Sequence, residues 1–499
     1  MSPYSVPAIV LITVVTLAIG AFGYRISRST SDFLVASRTV SPRLNASAIS
    51  GEYLSAASFL GVAGLIMTYG VDMLWYPVGF TAGYLAMLLY VAAPLRRSGA
   101  YTLPDFAEAR MRSRGLRALS TGFVVLIGWL YLVPQLQGAG LTLSTVTGAP
   151  AWVGAVVVGA VVTLNVAVGG MRSITFVQAF QYWVKLTAIA FPAMVLLIVW
   201  AGRDGAPAPP APPEWTFPLA GLPGEHPLFA TYSLILATFL GTMGLPHVLV
   251  RFYTNPDGRA ARTTTLVVLG MLGVFYLFPT VYGALGRVYA PELLGEGNAD
   301  AVVLVLPGAA IGGLGGDLLA GLVAAGAFAA FLSTSSGLLV SVSGVLSTDV
   351  LGRWSGGHGS VRDFRRSAMV AGVVPLLLAL QAGSLGLSTV VGLAFAVAAS
   401  TFCPLLVLGI WWRGLTAVGA GAGLLVGGGL SGAAVLLTVL GPPLSGWPGA
   451  LLAQPAAWTV PAAFAVMVLT SLATPGRVPA DVGRTMVQLH APERLRLQP

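Results

Sequence analysis

Long apolar runs fill this 499-residue sequence, and short polar stretches separate them. A run of about 20 apolar residues is long enough to cross the hydrocarbon core of a bilayer as an α-helix. Only 9% of the residues are charged, so a water-soluble chain of this composition would expose too much apolar surface. The sequence therefore predicts an all-α integral membrane protein. About thirteen transmembrane helices are expected, at residues 5–24, 46–70, 73–95, 118–146, 151–169, 173–201, 229–250, 264–286, 316–348, 367–384, 386–411, 416–440 and 456–474.

The positions of the arginines predict the orientation of these helices. If the N-terminus lies outside, 23 of the 25 arginines fall in segments on the cytoplasmic side, and only Arg203 and Arg287 lie outside. Cytoplasmic loops carry such an excess of positive charge. We therefore expect a multi-pass protein of the bacterial inner membrane with a cytoplasmic C-terminus. The arginines form short clusters between apolar runs, which argues against a nucleic-acid partner, and the single lysine, Lys185, lies within a helix.

Helices two and seven both carry residues that interrupt an α-helix near mid-membrane depth. Helix two contains Gly51 followed by Ser55, and helix seven contains Gly241, Gly244 and Pro246. A spacing of five helices places the two in opposite orientations, as in inverted-repeat transporters that bind substrate and ion where two helices unwind. Freed carbonyls suit a small hard cation, and the N-terminus of a half-helix suits a carboxylate. The alternative is that these residues only kink two packed helices.

Helix nine carries four consecutive hydroxyl residues from Ser333 to Ser336, which is unusual inside a membrane helix. They predict either hydrogen bonds between helices or, together with the freed carbonyls, ligands of a cation.

Glu52, a carboxylate in an apolar helix, is either a structural hydrogen-bond partner or a proton or ion gate. Cys403 is the single cysteine, so no intramolecular disulfide is possible, and we expect it to pack as a small apolar side chain.

Several motifs together resemble the sodium/solute symporter family, and within it the acetate-type monocarboxylate branch. The resemblance covers roughly residues 30–415, and its motifs are specific only in combination. They are Ser31-Asp32-Phe33-Leu34-Val35-Ala36, the stretch from Ser50 to Gly61, Gly169-Gly170-Met171-Arg172, Gly244-Leu245-Pro246-His247 with Arg251-Phe252-Tyr253, and the helix-nine hydroxyls followed by Ser347-Thr348-Asp349.

The resemblance implies a leucine-transporter-like 5+5 inverted repeat, helices two to six and seven to eleven, with broken helices. It also implies Na⁺ as the coupling ion, without an organic cofactor, bound between helices two and nine. The implied sodium ligands are the backbone carbonyls of Gly51, Leu54 and Ala330 and the hydroxyls of Ser333 and Thr334. A substrate would lie between the broken helices and helix four, where the candidates are Ser55, Ser58, Gln135, Thr242 and His247.

The sequence departs from the family pattern in helix six. Many members carry Thr-Asp after the Gly-Gly pair, with the aspartate linked to sodium release, whereas Val177 and Gln178 stand here. This departure puts the release route and the coupling ion in question. No buried arginine is evident to receive a carboxylate, so recognition is expected to rest on half-helix N-termini and hydroxyls.

These observations predict a symporter that couples inward sodium flow to uptake of a small monocarboxylate such as acetate, by alternating access. Alternatives are a proton-coupled transporter in which Glu52 or His247 titrates, and a solute sensor with the same fold. An enzyme is not expected, because metal, nucleophile-elbow and paired-carboxylate motifs are missing from the sequence. A small membrane partner protein is left open.

The expected organisation places the inverted repeats at the centre of the chain. A basic, polar tail follows the last helix and is expected to be mobile. The predicted units are an N-terminal helix and cytoplasmic loop (1–45), the first repeat (46–201), a proline-rich external loop (202–228), the second repeat (229–412), two peripheral helices (413–474) and the cytoplasmic tail (475–499).

Overall fold

The computed structural model describes residues 2–26, 35–202, 207–210, 212–217, 225–295, 297–352, 360–381, 386–442 and 444–493. Residues 31–34 of the first family motif, residues 206 and 211 of the proline-rich loop, and Glu296 lie outside these ranges. Within the described ranges every regular element is helical.

The long helices follow the thirteen predicted segments. In chain order they are α1 (Ser5–Ile26), α2 in two halves (Pro42–Tyr53, then Ala57–Gly61 continuing as Val62–Tyr69), α3 (Trp75–Tyr90), α4 (Arg114–Thr147), α5 and α6 (together Ala151–Ala201, divided at Gly170), α7 in two halves (Pro227–Gly244 and Pro246–Phe252), α8 (Gly258–Phe275 with Phe278–Tyr289), α9 (Gly313–Val345), α10 (Val361–Gln381), α11 (Leu387–Trp411), α12 (Ala417–Leu440) and α13 (Ala456–Ala473). The prediction of about thirteen helices is confirmed.

Ten stretches of the described chain are long and apolar enough to cross a membrane. Two of them each contain two helices: Ala57–Tyr90 holds the second half of α2 and all of α3, and Ala151–Ala201 holds α5 and α6. At the junction of α5 and α6, Gly170 has φ 59° and ψ −164°, a conformation that a residue with a Cβ rarely adopts. The helix α10 begins with a charged stretch and adds one more segment.

The interruption of α7 follows directly from its sequence. A proline disfavours helical geometry at the residue before it, and Leu245 has the extended values φ −73° and ψ 115°. Proline also fits the first position of a helix, where its missing N–H has no partner to lose. The second half of α7 accordingly begins at Pro246.

The interruption of α2 has no proline. The first half ends at Tyr53, Leu54 takes φ −72° and ψ 88°, and a π-helical turn begins at Ala57. In an unbroken helix the Ala56 N–H would bond to the Glu52 carbonyl. Here the Ala56 N–H donates to Gln135 Oε1 (2.9 Å), and the Glu52 carbonyl accepts from the Thr334 hydroxyl (2.6 Å). Side chains from α4 and α9 therefore satisfy the groups that the interruption frees.

The helix α9 lies at the centre of the molecule and is buried along most of its length. It packs against α6, α4, α1 and the first half of α2. A cluster of charges holds its C-terminal end against the start of α4: Arg117 forms ion pairs with Asp349 (2.6 Å), Glu108 (2.6 Å) and Asp105 (2.7 Å). Asp349, the last residue of the family motifs, is thus part of a contact between helices.

One expectation outside the repeats is wrong. The described part of the C-terminal tail is not free, because the helix Val482–His490 docks on the body of the protein. Arg97 donates to the carbonyl of His490 (3.2 Å) and forms an ion pair with Glu493 (3.3 Å). Within the second repeat, the connection between α8 and α9 contains a helix, Val302–Ile311, whose apolar residues pack against α8 and α9.

Candidate substrate and ion site

The side chain of Lys185 ends at the interruption of α2. Its Nζ donates to the carbonyl oxygens of Gly51 and Leu54 (2.8 Å to Leu54) and to the hydroxyl of Ser333 on α9 (2.8 Å). Lys185 lies on α6 and is completely buried. The sequence prediction gave this lysine no role, yet it lies at the centre of the predicted ion site.

The three partners of this amine match the donors of an ammonium. The two carbonyl oxygens are acceptors only. The Ser333 hydroxyl donates to the Ala330 carbonyl (3.0 Å) and can accept from Lys185. Three acceptors correspond to the three N–H donors of the charged form. In its ammonium form Lys185 places one positive charge among these oxygens.

The five predicted sodium ligands lie in one hydrogen-bonded network. Gly51, Leu54 and Ser333 contact the ammonium, Ala330 accepts from Ser333, and Thr334 donates to the carbonyl of Glu52. A second cation about 3 Å from the ammonium would be repelled by ~5 kcal/mol at an effective dielectric constant of about 20. With Lys185 in this position the ligand set does not fit a free sodium ion.

Glu52 forms a buried ion pair with Arg251, with 2.6 Å between its carboxylate oxygen and Arg251 Nε. Arg251 also donates to the Thr175 hydroxyl (2.8 Å) and to Gln178 Oε1, so three partners surround the guanidinium. Arg251 is completely buried, which the sequence analysis did not anticipate. Its charge is already paired with Glu52 and is not free for a substrate.

Gln178 connects the ion pair to the lysine site. Its Oε1 accepts from Arg251, and its Nε2 donates to the Ser333 carbonyl (2.7 Å). This is the position at which the family resemblance implied an aspartate. A neutral amide can both accept and donate, so Gln178 joins α6, α7 and α9 without adding a negative charge.

The five predicted substrate residues lie around the two interruptions and are all buried. Gln135 binds the Ala56 N–H, the Ser58 hydroxyl bonds with Tyr276 (2.9 Å), and the Thr242 hydroxyl bonds with Tyr53 (2.8 Å). Ser55 lies in the interruption itself. The structure thus brings α2, α4, α7 and α8 together through these side chains.

Two of these five side chains, His247 and Ser55, lack a hydrogen-bond partner among the described residues. His247 is 1% exposed, and neither ring nitrogen has a hydrogen-bond partner among the described residues. The ring packs edge-on against Tyr131, with 5.3 Å between ring centroids. A buried polar group without a partner costs free energy, so these nitrogens are available to a ligand.

An aromatic cluster, which the sequence prediction missed, surrounds these residues. Phe395 of α11 contacts Phe80 (5.0 Å between centroids), Tyr131 (5.8 Å) and Tyr53 (6.2 Å), and Phe80 also stacks on Tyr276 (6.1 Å). Aromatic residues occur throughout the sequence, so no local pattern distinguishes these five. The phenol groups of Tyr53, Tyr131 and Tyr276 add hydrogen-bond donors to this otherwise apolar cluster.

The two interrupted helices and their shared site agree with a comparison against protein families. The family model of the sodium:solute symporter family matches residues 33–427. The chain belongs to the sodium:solute symporter family. Like the other members, it is a transport protein of the membrane rather than an enzyme.

Similar proteins support this family assignment. The uncharacterized symporter YwcA of Bacillus subtilis (strain 168) is 34% identical over 429 residues, which cover 83% of this chain and 82% of YwcA. Two solved structures share the fold of this symporter. A Na⁺-coupled sialic acid symporter in a substrate-bound outward-open state has a TM-score of 0.72 and 17% identity, over 93% of this chain and 98% of its own.

The second solved structure is Mhp1, a nucleobase-cation-symport-1 family transporter in a closed conformation. It has a TM-score of 0.57 and 15% identity, over 92% of this chain and 99% of its own. At these identities the likeness shows the fold alone. It confirms the predicted leucine-transporter-like arrangement of two inverted repeats with broken helices.

Proposed function

We propose that this member of the sodium:solute symporter family takes up a small monocarboxylate such as acetate by alternating access, driven by inward flow of a cation. The observation that carries this proposal is the meeting of the two interrupted helices at one buried polar site. Such interruptions persist in a membrane only where protein or a cavity satisfies the freed backbone groups. We place the protein in the bacterial inner membrane, with its N-terminus outside and its C-terminus in the cytoplasm, because of the arginine distribution.

The chemistry of the site favours a small weak acid. The polar groups at the site are neutral, and the Ser55 hydroxyl and the His247 ring lack partners among the described residues. The hydroxyls of Ser58 and Thr242 and the Gln135 amide already bond within the protein. Five aromatic side chains pack together beside them, which favours a small ligand. A short carboxylate can accept several hydrogen bonds and has little apolar surface to place. The resemblance to the acetate-type branch points to the same substrate class.

The Glu52–Arg251 ion pair is suited to closing one side of the site. It joins the first half of α2 to the second half of α7, the two half-helices that lead to the side predicted to be cytoplasmic. Both charges are buried, so separating them requires water or another partner to reach them. We propose that this pair is an inner gate, and that Glu52 acts through Arg251 rather than by binding sodium.

Family membership supports sodium as the coupling cation. The position of Lys185 among the candidate sodium ligands instead favours proton coupling. Sodium coupling and proton coupling can be distinguished by imposing a sodium gradient without a pH gradient, and then a pH gradient without a sodium gradient. Uptake that follows only the sodium gradient supports sodium coupling, and uptake that follows only the pH gradient supports proton coupling.

The substrate is tested by counterflow in proteoliposomes, which needs no ion gradient. Vesicles loaded with unlabelled acetate, propionate or pyruvate should exchange with labelled acetate outside. His247→Leu should reduce this exchange at least about tenfold, since losing hydrogen bonds worth about 1.4 kcal/mol changes affinity by that factor. Arg262→Met, at an exposed position on α8, is the matched control and should leave exchange unchanged. Exchange of none of these acids, in protein that folds, would contradict the proposed substrate class.

A further inference from the structure

The ammonium of Lys185 has the charge and the oxygen partners expected of a bound sodium ion. Both prefer carbonyl and hydroxyl oxygens, and both carry a single positive charge. Of the five predicted ligands, Gly51, Leu54 and Ser333 contact Nζ directly. The other two have partners within the protein, since Ala330 accepts from Ser333 and Thr334 donates to the Glu52 carbonyl. The network is complete without a free ion.

The choice of side chain supports the same conclusion. The sequence contains 25 arginines and one lysine, and the lysine is the residue that stands here. An ammonium is a compact point charge with three donors, whereas a guanidinium is a wide planar fork that needs more room. A side chain that takes the place of a monatomic cation must end in a compact charged group, and the lysine ammonium is such a group.

The surroundings of the site also limit its charge. Glu52 and Arg251 form an ion pair beside it and cancel each other's charge. Gln178, which is neutral, bonds to both Arg251 and the Ser333 carbonyl. Thus the described residues offer no further carboxylate to balance a second cation next to Lys185.

We propose that Lys185 is a tethered cation that takes the place of the sodium ion between α2 and α9, so that this symporter binds no free sodium there. The ammonium holds the interruption of α2 open by bonding to the carbonyls that sodium would otherwise ligate. This inference deepens the proposed function, because it concerns the cation in the same site, but it does not depend on which carboxylate is carried.

The inference is tested by sodium binding to purified protein in detergent at constant pH and ionic strength, with choline chloride as the replacement salt. The measurements are saturable binding of radiolabelled Na⁺ and the unfolding temperature as a function of Na⁺ concentration. Wild-type protein should show neither saturable binding nor a rise in unfolding temperature. Lys185→Met keeps most of the side-chain volume and removes the ammonium, so it should gain both responses.

A control variant tests whether the sodium binding gained by Lys185→Met occurs between α2 and α9. Adding Ser333→Ala and Thr334→Ala to Lys185→Met removes two of the candidate ligands and should abolish the gained sodium binding. The inference is overturned if wild-type protein binds Na⁺ and loses it through Ser333→Ala with Thr334→Ala alone. It is also overturned if folded Lys185→Met shows no sodium binding. Should Lys185→Met fail to fold, the comparison of wild type with the Ser333→Ala, Thr334→Ala variant decides by itself.

Counterflow of acetate separates this inference from the proposed function. It reports substrate exchange without an ion gradient, whereas the binding assay reports sodium without a substrate. Both proposals are supported if wild-type protein exchanges acetate and shows no saturable sodium binding. Protein that ignores sodium but exchanges none of the acids contradicts only the substrate class.

Discussion

In α7 the helix stops at Leu245 because Pro246 follows it, and it restarts at once. In α2 the helix stops at Leu54 without a proline, and side chains from three other helices hold the gap: Lys185, Gln135 and Thr334. The two interruptions occupy corresponding places in the two repeats. One is encoded by its own residues and the other depends on its neighbours.

This difference separates the roles of the two half-helix junctions. The α7 junction packs closely: a Cβ on Gly244 would lie 2.3 Å from the Ala398 carbonyl, and one on Gly241 would lie 2.5 Å from the Phe395 carbonyl. The α2 junction instead exposes carbonyls to a charged group. An interruption that depends on distant partners can respond to a cation or a substrate, whereas a proline-encoded one stays in place as the partners change.

The largest effect is expected from removing one charge of the pair beside the α2 junction. Arg251→Met leaves Glu52 buried without its partner, which costs about 3–5 kcal/mol. We expect a strongly lowered unfolding temperature and loss of uptake. The double variant Glu52→Gln with Arg251→Met should be more stable than Arg251→Met alone, because no unpaired charge remains. Equal stability of the two would show that the pair does not couple α2 to α7.

The second-largest effect on stability and uptake is expected at the α7 junction. Gly244→Ala forces its Cβ against the backbone of α11, and overpacking of this kind costs about 1–3 kcal/mol. Uptake and unfolding temperature should both fall. Gly273→Ala on α8 is the matched control, since a Cβ there would meet nothing within 4 Å. An unaffected Gly244→Ala variant would mean that α7 and α11 are not held in close contact.

A smaller effect is expected from Gln135→Leu. The substitution leaves the Ala56 N–H at the α2 interruption buried without an acceptor, which costs about 2 kcal/mol. Gln135→Glu keeps the acceptor oxygen when its buried carboxyl is neutral, so this variant should be more stable at low pH than at high pH. If Gln135→Leu matches wild type in thermal unfolding and acetate exchange, the α2 interruption does not need this neighbour.

The smallest effect is expected at Cys403, which is buried in α11 near the α7 junction. Cys403→Ala removes one sulfur atom from an apolar environment and should cost about 1 kcal/mol or less. Uptake should stay within about twofold of wild type, because the thiol contacts neither interruption through a polar group. A large loss of transport would give this thiol a role in the movement of α7.

The sequence was sufficient to predict the helices and the positions at which two of them are interrupted. Pro246 predicts its own interruption, and Gly51 with Ser55 marks the other. The positions of the hydroxyls at Ser333 and Thr334 relative to α2 followed from the family resemblance, and the structure brings these groups together.

Lys185 was missed, although a lysine in an apolar helix is a signal of function. It lies seven residues, or two turns, after Gln178, so both side chains project from the same face of α6 toward α9. The pairing of Glu52 with Arg251 spans 199 positions. One sequence carries no information on such a distant contact, and the sequence analysis used Arg251 as an orientation signal and as part of a family motif.

The docked C-terminal helix was missed for a similar reason. Val482–His490 is short and mixes polar with apolar residues, and its partner Arg97 lies almost 400 residues earlier. Composition alone indicated a mobile tail. The contact depends on the folded surface rather than on a local pattern.

The central claim is that a cation holds open the interruption of α2 and that Lys185 provides it. A high-resolution experimental structure of the wild-type protein, determined in a sodium-rich buffer, tests this claim most directly. The account predicts that Nζ of Lys185 contacts the carbonyls of Gly51 and Leu54, with no separate ion between α2 and α9. A sodium ion bound by those carbonyls, with Lys185 turned away from them, would contradict it.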